Sequence, residues 1–215
     1  WQQLEDGSWI QVSWQAIVVA VDVDEAQLAE MAAAGQWSED RQCRAEPPPP
    51  PAGKEPFRPK WIYGTTWPFN AAPTTLKLEN LPKELTQEQL LATIDRLGFS
   101  GSYNFVFMPT EWATWENYGH AIINLTRHSW GLALAAHLHE FEEWGIADSC
   151  SSEKCSVKWS LPMQGLTEHV ENYRNDPAMH ESVDDRLRPM LFRDGWRLAF
   201  PPPTRSLRRH ERHRF

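Results

Sequence analysis

Residues 74–81, TTLKLENL, and residues 117–125, NYGHAIINL, decide the fold. In the first stretch Leu76 and Leu78 alternate with Lys77 and Glu79, the period of two expected of a strand with one buried face. In the second, Ala121 and Ile123 alternate with His120, Ile122 and Asn124, and Tyr118 shares the face of the latter three. Both stretches predict strands of one sheet.

Leu81-Pro82 ends the first strand and Thr86-Gln87-Glu88-Gln89 reads as a capping box opening a helix. Leu85 can staple to Leu90, and Leu90, Leu91, Ile94 and Leu97 recur at helical spacing until Gly98 closes the helix. Residues 103–108, YNFVFM, read as an aromatic and β-branched strand stopped by Pro109, with Tyr103, Phe105 and Phe107 expected on one face. A second helix is predicted over 129–144 from the spacing of Trp130, Leu134, Leu138 and Phe141. A fourth strand is predicted over 154–160, with Cys155, Val157 and Trp159 on one face. The order strand, helix, strand, strand, helix, strand predicts an α+β ferredoxin-like sandwich, βαββαβ, in which a four-stranded antiparallel sheet carries both helices on one face. A third helix over 163–173 extends it, since Leu166 and Val170 lie four apart. An ordered return segment over 184–192 and a turn at Arg193-Asp194-Gly195-Trp196 come after it.

The flanks are of a different composition. Residues 1–44 suggest a small β/α appendage, with a hairpin turning at Asp6-Gly7, a strand over 17–23 and a short helix after Asp24. Residues 45–72 form a Pro-rich linker whose five consecutive prolines favour polyproline II. Residues 73–160 are the expected core, 161–203 a C-terminal extension and 204–215 a basic tail. Lys and Arg number 5 against 10 Asp and Glu over 1–72, 6 against 11 over 73–160, 5 against 7 over 161–203, and 5 against 1 in the tail. A net charge of -8 argues against a generic polyanion binder, because nonspecific affinity for nucleic acid rests on cations set against phosphates. Cys43, Cys150 and Cys155 read as thiols of a reducing, intracellular compartment, in nucleus or cytoplasm, and not as a disulfide framework or a metal site. No apolar run reaches the roughly 20 residues that span a bilayer, so no membrane role is expected. Neither hydrolase, zinc-protease nor phosphate-loop motifs occur, and His137 and His139 stand two apart on a predicted helix, so they point in different directions. Neither catalysis nor a cofactor is expected.

With these residues in place the chain resembles the RNA-recognition motif (RRM), and within it the C-terminal motif of the Mei-two-like proteins. The resemblance runs through 74–109, NYGHAIINL at 117–125, CSVKW at 155–159, QGL at 164–166 and RLRPMLF at 186–192. It implies single-stranded RNA binding in post-transcriptional regulation of meiosis or development, with no catalysis. It also implies stacking rings at three places, which here hold Lys77, His120 and Ile122. The expected RNA contacts are Lys77, Tyr118, His120, Ile122, Asn124 and Lys158, with Arg205, Arg208 and Arg209 of the tail. Glu79 on the same face would repel the RNA backbone. Since stacking on a ring contributes about 1 to 3 kcal/mol per base, the missing rings keep a second class open: a degenerate motif that binds a protein partner through the sheet face or the Pro-rich linker.

Overall fold

The computed structural model describes residues 2–3, 9–10, 46–53, 72–146 and 154–207. The chain divides into two units, Trp1–Asp40 and Arg41–Phe215. In the first, strands β1 (Gln2–Gln3) and β2 (Trp9–Ile10) pair antiparallel, Gln2 with Ile10 and Gln3 with Trp9; the turn expected at Asp6-Gly7 lies outside the described residues. The strand and helix expected over 17–34 lie outside the described residues, as does most of the Pro-rich linker.

In the second unit, β3 (Thr75–Glu79) is the centre from which the sheet is built. It pairs antiparallel with β5 (His120–Leu125) on one side and β6 (Ser156–Trp159) on the other. Strand β4 (Tyr103–Phe107) adds beyond β5. Two further strands, β7 (Met190–Arg193) and β8 (Trp196–Leu198), extend the sheet past β4, giving the order β6-β3-β5-β4-β7-β8. The predicted four-stranded core is therefore widened to six strands. Its extra hairpin turns at Asp194 and Gly195, both with positive φ (51° and 83°), the geometry of the tight turns that match strand twist.

Helix α1 (Gln87–Ile94) starts at the predicted capping box, in which the Thr86 hydroxyl accepts from the Gln89 amide while the Gln89 side chain accepts from the Thr86 amide. A π-type turn over Asp95–Phe99 comes next, closed by Gly98 at φ 92°. Gln87 is buried and ties three segments: its carbonyl accepts from Met108 N at 2.7 Å and its amide donates to Arg188 O at 3.0 Å.

Helix α2 (His128–Leu138) buries Trp130, Leu134 and Leu138 as their spacing predicts. It does not reach residue 144. His139 turns extended, Glu140 takes a positive φ of 58°, and the chain pairs with Cys155, through Glu140 N to Cys155 O and Cys155 N to Phe141 O. Pairing with the chain entering β6 thus replaces the last predicted helical turn. Gly131 lets α2 settle on the sheet, since a Cβ there would stand 2.9 Å from the Trp159 ring.

Between α1, α2 and the sheet lies one apolar core containing Leu76, Leu78, Val106, Ala121, Ile123, Val157 and Trp159. Cys155 is buried beside it, and burial pushes its thiol up to about 12, which makes it inert at neutral pH. Tyr103 belongs to this core, whereas Phe105 and Phe107 do not. The register slips between Tyr103 and Phe105, and that bulge reverses the alternation, so the three rings expected on one face are split between two.

The third helix, α3 (Leu166–Tyr173), forms where 163–173 predicted one, but it packs against the other face of the sheet. No helix of the described residues is long and apolar enough to cross a membrane.

Candidate nucleic-acid interface

Strand alternation turns Thr75, Lys77 and Glu79 of β3, His120, Ile122 and Asn124 of β5, and Lys158 of β6 away from the helical core. Phe105 and Phe107 of β4 and Leu191 of β7 share that outer face after the bulge. The face has two unlike halves.

Over β4 and the near end of β5 it is covered by α3. Phe105 is fully buried and stacks on His169 (centroids 5.0 Å apart, planes 20°) and Tyr173 (5.4 Å, 26°), while Phe107 meets Tyr173 edge-on at 4.9 Å. Ile122, Ala178 and Leu191 complete this second core, with Trp112, Leu166, Val170, Leu198 and Phe200 around it. His169 is fully buried, and neither of its ring nitrogens has a hydrogen-bond partner among the described residues. Burial pushes its pKa down to about 4, so it is neutral at physiological pH.

A polar clamp fixes the start of the helix. The Gln164 side-chain carbonyl accepts from Thr74 N (2.9 Å) and Thr75 N (2.8 Å), and its amide donates to Thr75 O (2.8 Å) and Ser160 O (2.7 Å). Gly165 N donates to the Thr75 hydroxyl, which itself donates to Asn124 Oδ1 at 2.7 Å. Asn124 is 2% exposed, accepts from Thr74 as well, and donates to Asn104. Two of the residues expected to touch RNA, Ile122 and Asn124, therefore sit beneath α3. The burial has a physical cause: Asn124 is the hydrogen-bonding hub under the clamp, and Ile122 supplies apolar area to the helix.

The other half stays open. Lys77 Nζ lies 3.0 Å from Glu79 Oε1, and Lys158 Nζ bonds Glu79 Oε2 from the opposite strand. Partial burial opposes ionisation of Glu79, but hydrogen bonds and charge from Lys158 and Lys77 outweigh it and hold the carboxyl below its usual range. The repulsion expected from Glu79 is thus neutralised twice over, leaving a net positive triad. His120 lies across from Glu79 in the strand register and is partly exposed.

Tyr118, in the loop two residues before His120, is 59% exposed, its hydroxyl donating to Glu111 at 3.0 Å. The loop that presents it is rigidly held, because the Asn117 amide reaches the carbonyls of Pro82 (2.6 Å) and Leu85 (2.8 Å). Trp115, 46% exposed with φ 66°, projects from the same loop with the Arg186 guanidinium 4.7 Å from its ring centroid.

Arg174 donates to Pro202 O and Asn175 pairs with Thr204, so the basic tail departs from the C-terminal end of α3. Arg205 is exposed; Arg208 and Arg209 lie outside the described residues. Sequence reasoning placed α3 but not its side of the sheet, and missed the Gln164 clamp. Strand parity gave Lys158 and Glu79 a common face, but their pairing depends on the β3–β6 register and replaces the repulsion expected of Glu79.

A strand order of β6-β3-β5-β4 with α1 and α2 on one face, reached through βαββαβ connectivity, defines an RNA-recognition fold. Residues 73–174 match the family described as RNA recognition motif 2, an RNA-binding family and not an enzyme family. Protein MEI2-like 3 of Arabidopsis thaliana is 31% identical over 128 residues, covering 60% of this chain and 16% of that protein. Protein MEI2-like 4 of Oryza sativa subsp. japonica is 30% identical over 125 residues, covering 55% of this chain and 11% of that protein. The chain thus spans no more than about a sixth of these relatives' length. Among solved structures, the Rna15 RRM with bound RNA (GU) covers 46% of this chain and 94% of its own, at 16% identity and a TM-score of 0.35.

Proposed function

We propose that this chain binds single-stranded RNA, in post-transcriptional regulation inside the cell, through the half of the sheet face that α3 leaves open. The observation that carries this reading is the strip of Lys77, Lys158 and His120 on the face opposite α1 and α2, with the exposed ring of Tyr118 in the loop just before β5. The lysines serve phosphates, and His120 and Tyr118 offer stacking surfaces. Ile122 and Asn124 act from beneath, by seating α3. The tail that begins beside the end of α3 at Thr204 carries Arg205, Arg208 and Arg209, which supply the phosphate contacts that an acidic core lacks. A role in meiosis or development is part of the same proposal, resting on the relatives' kinship alone.

A fluorescence anisotropy titration of the chain with a random single-stranded RNA pool at two salt concentrations tests it. Lys77→Ala with His120→Ala should weaken binding by at least about tenfold, through one phosphate contact and one stacking surface, and should flatten the salt dependence. Unchanged affinity moves the reading to protein interaction. That second reading is favoured by one observation: Trp115 and Tyr118 are the exposed large hydrophobic residues among those described, and both sit on the clamped 109–119 loop. A partner captured there after RNase treatment, and lost on Tyr118→Ala, would support it.

A further inference from the structure

A carboxylate at the centre of an RNA-binding strip, its charge offset by two lysines, is a fixed pair of hydrogen-bond acceptors. Glu79 is not peripheral: it lies between Lys77 on its own strand and Lys158 on β6, with a side chain only 25% exposed and oriented by both ammonium groups. An ionised carboxylate only accepts hydrogen bonds, and its two oxygens hold about four lone-pair sites, so the two lysines leave acceptor capacity on each oxygen. The contacts run Lys77 Nζ, Glu79 Oε1, Glu79 Oε2 and Lys158 Nζ, a donor, two acceptors of one carboxylate and a second donor, and the first three form the sequence donor, acceptor, acceptor.

That sequence of donor, acceptor, acceptor is the pattern cytosine shows on its Watson–Crick edge. Its complement is guanine, whose edge carries the O6 acceptor followed by the N1–H and N2–H donors. Uracil places acceptors on both sides of a single donor, cytosine adjoins two acceptors, and adenine offers one donor beside one acceptor. None of these offers two adjacent donors to the two carboxylate oxygens together with an acceptor toward Lys77. We propose, on the basis of the RNA-binding reading above, that Glu79 with Lys77 reads a guanine in single-stranded RNA, the base lying beside the His120 ring. His120 is across from Glu79 in the register and partly exposed, so a base stacked on it has its edge within reach of the neighbouring strand. Lys158 holds the second carboxylate oxygen in place.

The test compares fluorescein-labelled heptauridylate with the same oligonucleotide carrying one central guanosine or one central inosine, each titrated against the full chain. The chain should favour the guanosine oligonucleotide by about tenfold or more, the discrimination expected of a good two-bond base contact, with inosine between because it lacks the N2 amine. Glu79→Gln should move the two ends of this comparison in opposite directions. It should bind heptauridylate more tightly than the parent, because a negative charge beside phosphates is gone, and cut the guanosine preference to less than about threefold. Equal binding of all three oligonucleotides by the parent chain, or a preference retained in Glu79→Gln, overturns the assignment to Glu79 while leaving RNA binding intact. Failure to bind any oligonucleotide overturns the RNA-binding reading and this inference with it. The inosine arm needs no variant, so the outcome does not depend on how Glu79→Gln folds.

Discussion

Under α3 the outer face of the sheet is apolar, aromatic and closed; one strand away the same face is charged and open. Phe105 and Lys77 both point away from the helical core, yet Phe105 is fully buried while the Lys77 side chain is 32% exposed and paired with a carboxylate. The difference comes from the segment beyond β6. Gln164 fastens the chain at the ends of β3 and β6, and α3 then crosses β4. A motif that elsewhere offers one broad platform is here divided into a second core and a narrow polar strip.

The largest effects should fall on the closed half. Phe105→Ala removes a fully buried ring stacked on two others and should cost roughly 3 to 5 kcal/mol in a denaturant titration. A loss below about 1 kcal/mol would mean that α3 does not depend on this seat.

Next comes pH. The His169 pKa is pushed down to about 4 when folded and is near 6.5 when unfolded, so above 6.5 the imidazole is neutral in both states. Between 6.5 and 4 only the unfolded chain takes up the proton. Stability that is complete above pH 6.5 should therefore be lost as pH falls through that window, by about 3 kcal/mol in all. His169→Leu should abolish this component, seen as the difference between the two pH profiles, and should be at least as stable at neutral pH because no unpartnered ring nitrogens remain buried.

Gln164→Ala strips four hydrogen bonds from the clamp and should cost about 1 to 3 kcal/mol. Amide exchange in residues 166–173 should rise more than in β3. On the open half, Lys158→Ala should change stability by less than about 1 kcal/mol, since partly exposed ion pairs contribute little, yet weaken RNA binding. The smallest expected effect is that of the tail. Deleting 204–215 removes the exposed Asn175–Thr204 contacts, should change stability by less than about 1 kcal/mol, and should lower the salt slope of RNA binding by up to about five counterions, one for each of its arginines.

How far the sequence reaches is set by the same division. The open half was legible: the alternation around Leu76, Leu78, Ala121 and Ile123 correctly turned Lys77, His120 and Lys158 outward, and the capping box at Thr86 fixed α1. The closed half was not. A single extra residue at the bulge after Tyr103 reverses the parity of β4, and nothing in YNFVFM marks it, so Phe105 and Phe107 could not be assigned to the face that needs a cover. Without that apolar patch in view, the stripe of Leu166, Val170 and Tyr173 had no visible reason to choose the outer side. The end of α2 was hidden for a related reason. His139 to Trp144 keep helical apolar spacing, and pairing with Cys155, which is remote from local propensity, takes them out of the helix. Asn124 looked like a contact because strand parity gives direction, not burial, and its burial depends on Gln164, which lies outside the strand pattern.

The division of the face is tested most directly by an NMR titration of the ¹⁵N-labelled chain with a single-stranded oligonucleotide. Shifts should concentrate at Lys77, Glu79, His120, Ser156 and Lys158, while residues 166–173 keep both their shifts and their amide protection, because RNA binds beside α3. Shifts centred on Phe105, Phe107 and 166–173, with loss of protection in that helix, would contradict the account, since they would make α3 a removable cover and the buried aromatic half the true RNA surface.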